Sequence, residues 1–98
     1  MLFVIRFHDK PETQEIRKAL LPSHLAWLDQ HKESILVGGS LRVSPEQSPV
    51  GGLWIAQAQC KEELMALIES DPFWIADLRL SVEILHWSKA FDDRQVLV

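Results

Sequence analysis

Tyrosine is absent from this chain of 98 residues, and cysteine occurs once. Without a phenol, acid–base chemistry falls to His, Asp, Glu, Lys or Cys. The single cysteine, Cys60, excludes an internal disulfide and suits a reducing cytoplasm. Basic clusters are lacking too. Ten Lys and Arg are scattered among fourteen Asp and Glu, for a net charge of −4, which argues against nucleic-acid binding. No apolar run approaches the length of a membrane span. Met1 to Ile5 lack a basic n-region and Arg6 interrupts them, so neither a membrane role nor a signal peptide is expected. The four histidines have no tight ligand spacing and no cysteine cluster joins them, so no metal is expected. No phosphate-binding glycine loop is present, and no cofactor is expected. Internal repeats and low-complexity segments are likewise absent.

What is present is an ordinary globular balance, 47% apolar and 24% charged, in a length that suits one domain over residues 1–98. Residues 2–8 are rich in β-branched and aromatic types and read as a strand, with Phe3, Ile5 and Phe7 on one face. Pro11 suits a helix start. From Glu12 to about Glu33 the period is helical, with Ile16, Leu20, Leu21, Leu25, Trp27 and Leu28 as the apolar set. Pro22 removes a backbone donor inside that stretch and predicts a kink or short break, with Ser23 capping a restarted half. Residues 35–41 read as a second strand in which Gly38 and Gly39 mark a bulge or a close approach. A polar loop follows over 42–51, a third strand over 52–58 and a second helix over 61–70. Asp71-Pro72 starts a short helical turn through Asp77, and 80–87 is the fourth strand.

The order βαββαβ predicts an α+β, ferredoxin-like fold: a four-stranded antiparallel sheet with both helices on one face. The other face is expected to carry Leu2, Val4, Trp54, Leu85 and Trp87 beside Arg6, His8 and Glu83. Apolar area of that kind usually meets a partner, most commonly in a symmetric dimer, and the tail over about 88–98 is expected to join that interface. His8 and His86 are placed at that face or in solvent. Arg6 and Glu83 are a cross-strand pair with modest energy.

Seven residues on an ideal helix turn through roughly 700°, so Arg17, His24 and His31 form a stripe flanked by leucines. His24 is the more buried of the two histidines and His31 the more solvated. A histidine facing the interior needs a partner. Asp71, far downstream, is of the right type. Its plain reading is an N-cap for the turn beginning at Pro72, but one carboxylate can cap and also meet an imidazole. Cys60 at a helix start has a favoured thiolate, yet reads as a simple cap because no histidine is near it in sequence.

Arg17, Ser23-His24-Leu25, Val37-Gly38-Gly39-Ser40-Leu41, Gly51-Gly52-Leu53-Trp54-Ile55, Asp71-Pro72-Phe73 and Val82–Trp87 together resemble the successive landmarks of YciI-like (YCII-related) proteins. The resemblance spans nearly the whole chain. It implies a ferredoxin-like fold of the dimeric α+β barrel type, a homodimer, and a site centred on histidine and aspartate, which map onto His24 and Asp71. The family is akin to muconolactone isomerase and includes a dehydrochlorinase acting on a chlorinated hydroxyhydroquinone. Pro22, just before the histidine, departs from the pattern. The resulting expectation is a cytoplasmic homodimer in which His24 and Asp71 move protons on a small organic ligand, anionic or phenolic, by isomerase or lyase chemistry. Arg17 would hold an anionic group, and Phe73 and Trp74 would wall the pocket. The rival expectation is a non-catalytic ligand-binding or interaction module in which the His–Asp pair supports the fold.

Overall fold

A computed structural model describes residues 1–98. Phe3, Ile5 and Phe7 alternate inward along β1 (Leu2–Asp9) and are almost wholly buried, as a strand covered on one face requires. Helix α1 (Gln14–Gln30) crosses back, and β2 (Ile35–Leu41) and β3 (Gly51–Gln57) form a hairpin around the 42–50 loop. Then come α2 (Lys61–Ile68), the one-turn α3 (Pro72–Ile75) and β4 (Arg79–His86). The sheet order is β2-β3-β1-β4 with every neighbouring pair antiparallel, the ferredoxin-like arrangement. Leu64, Ile68, Trp27 and Phe73 close the core over the covered face. No helix is long and apolar enough to cross a membrane.

Several expectations need correction. Helix α1 runs unbroken through Pro22, and Ser23 caps nothing. Pro22 is exposed, and the carbonyl that loses its donor belongs to Lys18, also on the solvent side, where water can replace the missing bond. The buried stripe of α1 also differs from the leucine arc. Arg17, Leu20, His24, Trp27, Leu28 and His31 turn inward, wholly or in part, whereas Ile16, Leu21 and Leu25 are exposed. The seven-residue polar stripe is therefore the inward one. Finally, Trp54 lies on the covered face, 1% exposed, because it pairs with Ile5 across the β1–β3 ladder and shares its side.

The opposite face carries Leu2, Val4, Leu53, Ile55 and Leu85, with Val4 facing both Ile55 and Leu85 in register and Arg6 facing both Leu53 and Glu83. The polar contact there is His8 Nε2 to Glu83 Oε1 at 3.3 Å, in place of Arg6 to Glu83. Residues 88–98 form no helix or strand. Phe91, Val96 and Val98 border a groove with Leu2, Leu36, Val37, Ile55 and Trp87.

Candidate active site

Asp71 is placed by chain geometry. It has extended backbone (φ −68°, ψ 130°) immediately before Pro72, which occupies the first helical position of α3. From there its Oδ1 accepts the Phe73 backbone N–H at 3.1 Å, the capping bond expected of an aspartate at this position. The same oxygen lies 2.8 Å from Nδ1 of His24, one of the two buried α1 residues. A carboxylate only accepts, so Nδ1 carries the proton, and in the neutral ring the lone pair sits on Nε2. His24 and Asp71 are 6% and 0% exposed, and Oδ2 of Asp71 has no hydrogen-bond donor within the protein. The imidazole lies flat on the Phe73 ring, with centroids 3.9 Å apart and planes within 11°.

A buried ionic group stands beside this pair. Asp9 ends β1 and Arg79 begins β4, directly opposite in register. Asp9 accepts from Arg79 Nη1 at 2.7 Å through Oδ1 and from Arg17 Nε at 3.3 Å through Oδ2. Arg17 also donates through Nη2 to the Gly51 carbonyl at 3.2 Å. Both guanidinium groups lie over Phe73, at 5.1 Å for Arg17 and 5.2 Å for Arg79, so one ring supports the imidazole and both cations. Burial pushes the Arg79 pKa below its ordinary value, although its bond to Asp9 acts in the opposite direction.

These groups border a cavity of about 480 Å³ between α1 and the β2–β3 hairpin. His24, Arg17 and Arg79 line it together with Trp54, Leu21, Leu25, Leu28 and the Gly38-Gly39-Ser40 segment. Its size suits a small organic ligand. Gly38 and Gly51 serve close approach, whereas a side chain at Gly39 would meet nothing. A Cβ on Gly38 would lie 2.8 Å from Trp54 Cδ1, and one on Gly51 only 2.0 Å from the Phe7 carbonyl oxygen. The bulge in this hairpin falls earlier, between Ile35 and Val37.

Of the residues singled out in the sequence, His24, Asp71, Arg17 and Phe73 converge on this corner. Phe73 lies behind the imidazole and does not line the cavity. Trp74 packs against the hydrophobic core, also away from the cavity. His31 is half-buried against Trp27, His86 tilts onto Phe3, and Cys60 is exposed at the start of α2. Asp9, Arg79 and Trp54 were not recognised as site residues. Asp9 lies just past the strand assigned over 2–8, and Arg79 just before the strand assigned from residue 80. The available signal was topological: in this fold the end of the first strand abuts the start of the fourth, so a terminal Asp and Arg there become neighbours.

The YCII-related domain profile matches residues 1–88. No curated protein matches the sequence. Among solved structures, the chain resembles 5-chloro-2-hydroxyhydroquinone dehydrochlorinase (TftG) from Burkholderia phenoliruptrix AC1100, solved in complex with 2,5-dihydroxybenzoquinone. The TM-score is 0.81 at 29% identity, over 90% of this chain and 94% of the other. The fold is also similar to that of protein Atu4242 from Agrobacterium tumefaciens, with TM-score 0.52 and 14% identity over 94% and 98% of the two chains. It is similar again to a NIPSNAP domain protein from Burkholderia xenovorans, with TM-score 0.50 and 15% identity over 96% and 100%. By the profile match over nearly its full length, the chain belongs to the YCII-related domain family.

Proposed function

We propose that this protein is a small-molecule enzyme, a cytoplasmic homodimer, in which His24 is the general base and acid and Asp71 its positioning residue. The observation that carries this reading is the imidazole at the wall of a ligand-sized cavity, with Nδ1 tied to a buried carboxylate and Nε2 without a protein partner. Asp71 holds the tautomer and stabilises the imidazolium that forms when Nε2 takes a proton. Arg17 holds an anionic group of the substrate, and Phe73 keeps the imidazole plane in place from behind. Such a device serves isomerisation, in which a proton leaves one carbon and returns to another. It equally serves elimination, in which a keto tautomer of the ring gives a proton to His24, the electron pair left behind forms a new double bond, and the halide departs with the carbon–halogen pair. Neither reaction requires an external oxidant. The likeness to a dehydrochlorinase supports elimination from a halogenated hydroxyquinol.

The capping bond from Phe73 to Asp71 favours a second reading, a non-catalytic ligand-binding module whose His–Asp pair supports α3. A panel of lactones and chlorinated hydroxyquinols separates the two, with isomerisation and chloride release followed for wild type and His24→Ala. The enzyme reading expects turnover by wild type and its loss in a folded His24→Ala. Ligand binding with no turnover across the panel would favour the module.

A further inference from the structure

We propose that Arg79 is a second anion-binding residue beside Arg17, deep in this cavity, and that the cavity takes an aromatic ring bearing an oxyanion in preference to its uncharged counterpart. The inference rests on reading the cavity as a ligand site. Arg79 has a side chain only 2% exposed, yet it shares its one carboxylate with Arg17. Two guanidinium groups thus divide a single negative charge, and Nε of Arg79 has no acceptor within the protein. Asp71 acts on Arg79 at longer range, with one of its oxygens committed to His24 and Phe73. Arginine stays protonated at neutral pH, so an under-compensated cation is held in a desolvated place, which is costly unless an anion completes it. The wider field agrees: Arg17, Lys18, Arg42 and Arg79 line the cavity against Glu15 alone, in a chain whose net charge is −4. The leucines of α1 and the Trp54 indole supply the apolar sides that a ring needs.

The probes are benzoate, uncharged benzamide and 2,5-dihydroxybenzoquinone, titrated to tens of millimolar while the side-chain N–H signals of Arg79 are followed by NMR. Benzoate and the quinone are expected to move these signals, more weakly as salt rises, and benzamide is expected not to. In Asp9→Asn, which removes the shared charge with little change of shape, benzoate affinity should rise about tenfold. Arg79 signals unmoved by both anions, or moved as well by benzamide as by benzoate, would overturn the assignment without needing any Arg79 variant to fold. Anion-induced shifts in a protein that turns over no ring would leave Arg79 standing and remove the acid–base reading. Turnover with unmoved Arg79 signals would do the reverse.

Discussion

The Asp71 carboxylate performs two tasks at once, and the two can be separated by substitution. Asparagine at position 71 still offers an oxygen to the Phe73 N–H and to His24 Nδ1–H, so Asp71→Asn should leave the cap in place while removing the charge that stabilises an imidazolium. Its melting temperature is expected to stay close to wild type while kcat falls at least tenfold. A fall in both would mean that the carboxylate is chiefly structural. Asp71→Ala removes cap and partner together and is expected to cost about 1–3 kcal/mol in chemical denaturation. At this scale the sequence was informative where a polar residue had to face inward. His24 stood out among leucines, and Asp71 preceded a proline. The pairing of Asp9 with Arg79 was not legible, since the two are separated by 70 positions and meet only through strand pairing.

At the level of elements, Pro22 shows a local rule losing to packing. The inward residues Arg17, His24 and Trp27 anchor α1 on both sides of the proline, and this tertiary hold outweighs one missing hydrogen bond on the solvent side. Pro22→Ala is therefore expected to raise stability by about 1–3 kcal/mol, read from urea unfolding, without changing ligand affinity. The β2–β3 hairpin behaves in the opposite way. Gly51 has no room for a side chain, and its carbonyl holds Arg17. Gly51→Ala should lose about 1–3 kcal/mol and weaken anion binding together, and a variant as stable as wild type would contradict that placement. Strand and helix periods were legible because each depends on near neighbours in sequence. The inward face of α1 is not the one its leucines mark, because Leu21 and Leu25 are exposed and border the cavity instead of the core.

For the whole molecule, the order of elements was enough to predict the ferredoxin-like sheet, since few topologies satisfy βαββαβ with short connections. The side of Trp54 was not legible, because a one-residue difference in register moves every side chain of a strand to the other face. The sheet face away from the helices remains apolar, with Leu85 52% and Trp87 40% exposed and the 88–98 tail bordering it. Sedimentation equilibrium should therefore find wild type as a dimer and Leu85→Lys as a folded monomer. A monomeric wild type would show that the tail alone suffices to cover this face.

The central claim is that His24 and Asp71 act as one proton-transfer unit. A double-mutant cycle on kcat/KM, for whichever ring substrate wild type converts, tests it most directly. If they form one unit, His24→Ala alone should lose nearly all of the rate, and adding Asp71→Asn should lower it no further. Losses that simply add, in variants that remain folded, would contradict the claim.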